Sequence, residues 1–351
     1  MENKYFGTLP NGENVYLLTL TNGALRATVI TYGGAVQSLW VPDRNGRPVD
    51  VLLGFDTLKD YCRQDKYIGA LIGRYANRIG KAKFTMHGQE YHLAANDGEN
   101  HLHGGMVGYD KRVWKVETQT ENQVTLFLDS PDGEEGYPGN LQVRVIYTLT
   151  ENALEIEYTA QSDADTPCNL TNHAYFNLSG HNSGPVYDQT IQILADQYAE
   201  VLPGAIPTGN LISVEGTPMD LRVPVEIGRD VNSQFLQMVL TQGFDHNWCL
   251  NSDAQYAARV YSSLTGITMT VETTKPGIQF YSGNYLDGCP FGKGGAPYAK
   301  HWGFCLETQF YPDSPNQATF PSALLKAGAR YHHKTTYRFS IDENAKEEGK
   351  P

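Results

Sequence analysis

Two histidine-bearing segments and two isolated carboxylates are the places where this sequence could do chemistry. His101 and His103 close the polar run Asn96-Asp97-Gly98-Glu99-Asn100-His101-Leu102-His103-Gly104-Gly105. In an extended segment, residues two apart share a face, so both rings would point the same way. That spacing suits a metal ion, which would need one or two further ligands from distant positions. The sequence supplies no clear third ligand. The alternative is one working or structural histidine beside an exposed neighbour. His173 lies in Asn169-Leu170-Thr171-Asn172-His173-Ala174-Tyr175-Phe176-Asn177-Leu178. A neutral imidazole oriented by Asn172 and Asn177 can serve as a general acid or base near neutral pH. A core histidine satisfied by the same amides fits equally well.

Asp245, in Gly243-Phe244-Asp245-His246-Asn247-Trp248, and Glu307, in Phe304-Cys305-Leu306-Glu307-Thr308-Gln309, each interrupt an apolar stretch. A carboxylate there must be paired, hydrogen-bonded or shifted in pKa, and catalytic carboxylates arise the same way. The structural alternative is an ion pair with Arg74 or Arg78, from Gly73-Arg74-Tyr75-Ala76-Asn77-Arg78-Ile79-Gly80. Histidines, carboxylates, an Asn-Arg pair and many aromatics together match a sugar. Its hydroxyls need bidentate polar partners, and its C–H faces stack on aromatic rings.

The elements that must position these groups read as strands. Val15 to Leu20 and Leu25 to Tyr32 alternate polar and apolar residues around Asn22-Gly23, a pair that favours a tight hairpin. The pattern recurs in Gln142 to Leu149 with Leu154 to Ala160, and in Ala258 to Ser263 with Thr268 to Thr273. Helical signals are short: Phe55 to Gln64, Gln234 to Thr241 and a single turn at Pro321 to Lys326. With 35 Gly and 18 Pro the chain is rich in turns, and 11% aromatic residues against 19% charged ones describe a folding chain. The expected fold is all-β, a large antiparallel sandwich with few short helices.

At 351 residues the length allows one domain or two. Hairpins in every third of the chain favour a single domain over 1–341, with the Glu- and Lys-rich 342–351 as a solvated tail. The net charge of −12, without a basic cluster, excludes a polyanionic partner such as nucleic acid. The sequence carries neither a membrane-length apolar run nor a leader pattern, so a cytoplasmic location is expected, with no membrane partner. Five widely spaced cysteines with no CxxC pair fit free thiols in a reducing compartment.

In combination the motifs resemble the aldose 1-epimerase, or galactose mutarotase, family. The resemblance runs in order along nearly the whole chain. It takes in Tyr32-Gly33-Gly34, Gly54-Phe55-Asp56, Gly73 to Ile79, Asn100 to Gly105, Gly136-Tyr137-Pro138-Gly139, Asn169 to Leu178 and Gly243 to Trp248. It continues through Thr274 to Asn284, Cys305 to Gln309 and Tyr311 to Asn316. No single motif decides it; together they are specific.

The resemblance implies a β-supersandwich of the galactose mutarotase type with the sugar in a cleft on a curved sheet. It implies that Glu307 is the catalytic base, that His173 and His103 flank the ring oxygen, and that Asn77, Arg78, Asp245 and Gln279 hold the sugar, with Tyr175 beside them. Neither metal nor organic cofactor is implied, which weakens the reading of His101 and His103 as metal ligands. The partner is a small aldose, the preferred one not fixed by the sequence, and the protein is expected as a monomer or weak homodimer. Two departures stand out: Leu325 to Tyr331 where the family has a Leu-Arg-Pro-Gly-Glu-like turn, and Trp248 where a smaller residue is common.

The chemistry explains the residue types. Anomers interconvert when the C1 hydroxyl loses its proton, the ring oxygen gains one, the C1–O5 bond breaks, and the aldehyde turns before closing on its other face. A base and an acid on opposite sides of C1 are the expected pair, Glu307 and His173. A glycoside hydrolase also uses two carboxylates near a sugar, and a sugar-binding module would use the same scaffold without chemistry.

Overall fold

The computed structural model describes residues 3–341. The expected 342–351 tail therefore lies outside the described residues. All three hairpins form: Asn14–Asn22 with Leu25–Ile30, Leu141–Leu149 with Ala153–Ser162, and Ala258–Tyr261 with Ile267–Thr273. They belong to a five-stranded sheet at the N-terminal end and to a nine-stranded sheet. The nine-stranded sheet closes around Arg330–Ile341, which pairs antiparallel with Ala153–Ser162 on one side and Ile267–Thr273 on the other.

A six-stranded sheet carries the site. Its order is Tyr175–Phe176, Phe304–Gln309, Gly277–Tyr281, Asp245–Cys249, Gln197–Val201 and Pro207–Ser213. Side chains alternate faces along a strand, and here the alternation divides chemistry from core. Phe304, Leu306, Ile278, Phe280, Phe244 and Trp248 point into the main apolar cluster shared with the nine-stranded sheet. The Tyr337 hydroxyl donates across that interface to the Leu306 carbonyl at 3.0 Å. Burying each such side chain contributes about 1.5–3 kcal/mol. Trp248 is wholly buried there, its indole N–H donating to the Met219 carbonyl. It therefore lies on the face opposite Asp245, and its bulk is taken up by the core.

The helices are as short as expected. Leu58–Arg63 is capped by Thr57, and Leu236–Thr241 ends on Gln242 in the left-handed conformation. The turn at Pro321 to Lys326 is not helical. Leu324–Leu325 instead pairs antiparallel with Thr166–Pro167, and the Cys168 N–H beside them donates to the Ala323 carbonyl at 2.9 Å. Among the described residues no helix is long and apolar enough to cross a membrane.

Candidate active site

Strand register sets the first layer of the site. Glu307 stands directly opposite Gln279, which is opposite Asn247, across three adjacent strands. One pleat along, Tyr175, Cys305, Tyr281 and Asp245 form a second row. Both rows face away from the main core, and from them Glu307, Tyr175, Tyr281 and Asp245 reach the cleft.

The second layer comes from loops. His173 sits between two short strands, and its main chain is clamped by hydrogen bonds to Ala70 and from Gly69. Its ring stacks on Tyr175 at 5.0 Å, and its Nδ1 faces the Cys305 thiol at 3.4 Å. Asn172 and Asn177 do not orient it, contrary to the expectation from sequence. Asn172 donates to the Gly69 carbonyl and the Tyr147 hydroxyl, and Asn177 to the carbonyls of Gly184 and Trp302. They brace the loops that present the ring.

His101 and His103 do not share a face. The chain turns at His103, whose φ is 50°. His101 is fully buried, its ring held by the Ala94 carbonyl and the Tyr137 hydroxyl, both at 2.7 Å. It is structural, and the pairing of these two histidines as ligands is excluded by the geometry. His103 instead lies 5.2 Å, ring to ring, from His173.

Asn77 and Arg78 also enter the site. Asn77 is left-handed at φ 63°, a conformation asparagine tolerates better than most residues. Arg78 forms an ion pair with Asp97 at 2.8 Å and faces Asp245 electrostatically. Arg74, the other candidate partner for the acids, is buried elsewhere and donates to the carbonyls of Ser130, Pro138 and Gly139 and to Thr166.

These groups converge on a small cleft of about 140 Å³ lined by Asn77, Arg78, His103, His173, Tyr175, Asp245 and Glu307. Tyr67, Tyr281 and Tyr285 add aromatic surface, and Asp65 and Lys66 lie at the lining. None of these five was singled out as a site residue from sequence. Tyr281 lies inside a recognised motif, but Tyr67 stands in no pattern that would have flagged it. The Tyr175 hydroxyl is engaged by the Lys66 carbonyl at 3.0 Å, so Tyr175 offers the cleft its ring alone. Gln279 is not at the cleft wall. Its amide donates to Asp245 at 2.7 Å and accepts from Gln309 at 3.1 Å, holding the Asp245 carboxylate in place.

Electrostatics divide the roles. Burial pushes the Glu307 carboxyl well above the ordinary glutamate range, the Asp245 charge adds to this, and Arg78 opposes it. Burial lowers His173 to about 4. Burial, then the neighbouring His173 and Arg78, hold His103 well below the ordinary histidine range. One oxygen of Glu307 is buried without a hydrogen-bond partner. The other lies 3.6 Å from His173 Nε2. Base and acid are thus neighbours, not groups facing each other across a carbon. The arrangement is chemically apt, because O1 and O5 of a cyclic sugar are both bonded to C1 and are neighbours themselves. Donor atoms of His103, His173 and Glu307 lie within 4.8 Å of one another, a set that in principle could also take a divalent transition metal.

A six-stranded antiparallel sheet carrying a buried carboxylate and histidine pair inside an aromatic and polar cleft defines a protein of carbohydrate acid–base chemistry. The sequence profile of the family described as aldose 1-epimerase matches residues 16–338. The chain is 48% identical to the galactose mutarotase of Bos taurus, over 96% of this chain and 97% of that protein. It is 40% identical to the aldose 1-epimerase of Escherichia coli K12, over 94% and 96% respectively. The solved galactose 1-epimerase from Lactobacillus acidophilus superposes with a TM-score of 0.85 at 27% identity, covering 97% of this chain and 99% of that one. The chain belongs to the aldose 1-epimerase family.

Proposed function

We propose that the chain interconverts the α and β anomers of free hexoses, galactose and glucose among them, by acid–base ring opening and closure. The observation that carries this reading is the 3.6 Å approach of His173 Nε2 to Glu307 Oε1 at the cleft. The pair works with one proton between its members. In the reactive form Glu307 is the carboxylate and His173 the imidazolium. Glu307 takes the proton from the C1 hydroxyl, His173 gives its proton to O5, and the C1–O5 bond breaks to leave an aldehyde and a C5 hydroxyl. After rotation about C1–C2 the hydroxyl oxygen attacks the other face of the carbonyl. Its proton returns to His173, and the proton on Glu307 passes to the former carbonyl oxygen. The residues end as they began.

Arg78, Asn77 and the Gln279-held Asp245 would grip the remaining hydroxyls, and Tyr67, Tyr281 and Tyr285 would cover the apolar face of the ring. Each well-placed proton transfer supplies on the order of 10²–10⁴-fold. We take residues 1–341 as one domain, since site residues from 67 to 307 build a single cleft, and a monomer or weak homodimer as the working unit, since one chain supplies them all. The five unpaired cysteines support a reducing compartment such as the cytoplasm.

Polarimetry on freshly dissolved α-galactose and α-glucose tests the reading. The enzyme should hasten the drift to equilibrium. Release of sugar from a glycoside, or no effect on the drift of any aldose in a panel, would overturn it.

A further inference from the structure

The two histidines and the carboxylate at the base of the cleft have the donor set of a metal centre, yet one hydrogen bond sets them against metal. The Asn77 main-chain N–H donates to His103 Nδ1 at 3.1 Å. The His103 main-chain N–H donates back to the Asn77 carbonyl at 3.0 Å. This two-point ring is possible because Asn77 and His103 both adopt left-handed backbone conformations, with φ of 63° and 50°. An amide N–H can only donate, so His103 Nδ1 must be the acceptor and the ring proton must sit on Nε2.

We propose that the Asn77 main chain is a tautomer clamp on His103, fixing it as an Nε2–H donor toward the sugar and closing the His103, His173 and Glu307 cluster to divalent metal ions. A metal bound at Nε2 requires that nitrogen's lone pair and so a proton on Nδ1. Histidine ligands ordinarily donate that second N–H to a carbonyl, carboxylate or water. Here the Nδ1 proton would meet another donor at hydrogen-bond distance. Doubly protonated His103 meets the same obstacle, so the clamp also excludes it as the acid. The labour in the site is then unequal: His103 offers a fixed N–H, and the proton that travels belongs to His173 and Glu307. Three good ligands are thereby kept for proton chemistry in a cell that contains zinc. This division of roles rests on the function proposed above, but the tautomer itself does not.

The test is a long-range ¹H–¹⁵N correlation spectrum of the full-length protein labelled at histidine nitrogens, free of sugar, at pH 7.5. The His103 signal is assigned by its loss in His103→Gln. The expected pattern is a proton-bearing Nε2 and a bare Nδ1, unchanged when zinc sulfate is added in excess. A proton on Nδ1, two protonated nitrogens, or a His103 Nε2 that loses its proton and shifts on zinc addition would each overturn the clamp. The spectrum needs no substrate, so a wrong tautomer would leave the polarimetric result standing. Absent polarimetric activity would overturn the function and leave the tautomer intact.

Discussion

His173 and Glu307 are drawn from different elements, a clamped loop and the strand Phe304–Gln309, and meet with Nε2 and Oε1 3.6 Å apart, almost entirely out of solvent. Neither position is stable as an isolated charge. Burial raises the carboxyl and lowers the imidazole, so each group's charged form depends on the other.

Removing either partner should stop the chemistry without unfolding the protein. Glu307→Gln and His173→Asn keep shape and hydrogen-bonding capacity, and each is expected to lower kcat by about 10²–10⁴-fold. Circular dichroism and melting temperature should stay close to those of the parent. A variant that keeps near-parental kcat in the polarimetric assay would remove its residue from the mechanism.

The activity profile against pH should carry the mark of the burial. Free glutamate titrates near 4.3, and Glu307 is displaced upward from there, by desolvation first and the Asp245 charge second. The pair is active with one proton between its members, and the raised Glu307 carboxyl holds that proton longest, so kcat/KM should fall with rising pH along a limb centred above the ordinary glutamate range. A rate that shows no such alkaline limb contradicts the shared-proton pair.

Metal should be dispensable. No step of the proton cycle needs a Lewis acid, so prolonged dialysis against a strong chelator is expected to leave the rate unchanged. A large loss that added metal restores would point to the His103, His173 and Glu307 cluster as ligands.

Acid should destabilise the fold through His246. This residue is buried on the core face beside Tyr198 and Trp248, and desolvation lowers its pKa to about 3. The folded state binds its proton later than the unfolded chain, whose histidines titrate near 6.5. The contribution is therefore complete above about 6.5 and is lost as pH falls toward 3. Between pH 7.5 and 5 this amounts to about 2 kcal/mol. In urea unfolding, the stability difference between parent and His246→Leu should shift by that amount in favour of the variant at pH 5. A difference independent of pH would show that His246 takes up its proton as readily in the folded state as in the unfolded one. Buried Asp110, raised to about 6 chiefly by desolvation, has the opposite sign and offsets part of the overall acid loss.

Arg74 is expected to matter for stability and not for the proton cycle. Its buried guanidinium serves the carbonyls of Ser130, Pro131, Pro138 and Gly139 besides Ser130 Oγ and Thr166 Oγ1. Arg74→Met leaves those acceptors bare and should cost roughly 3 kcal/mol or more. At temperatures where the variant is folded, its kcat should stay within a few-fold of the parent; a loss as large as that of Glu307→Gln would place Arg74 in the catalytic set.

The hairpins were legible because each has one face in the core and one outside, so polarity alternates along the strand. The strands that carry the site lack that contrast. Gly277–Tyr281 is buried at every position, and Asp245–Cys249 at all but the first, with His246 and Trp248 on the core face and Asn247 on the other. The motif around Asp245 and Glu307 was conspicuous, but the strand beneath Asp245 was not. The carboxylates and His173 were visible as polar residues in apolar surroundings. The separate fates of His101 and His103 were not, because extended spacing predicts one face and a single left-handed residue breaks it. Tyr67 reaches the cleft by tertiary placement, 4.6 Å from His103 ring to ring, and nothing local announces that.

Arg330–Ile341 occupies an inner position of the nine-stranded sheet, between strands that end at Ser162 and begin at Ile267. On the ribosome, every residue of the cleft has been synthesised before the strand that joins the two halves of its supporting sheet emerges. Until then Ala153–Ser162 and Ile267–Thr273 present unpaired edges, which are templates for pairing with other chains. Acquisition of the site is thus tied to a late, long-range closure, and the nascent chain passes through a stage in which the chemistry is encoded but the floor beneath it is still open.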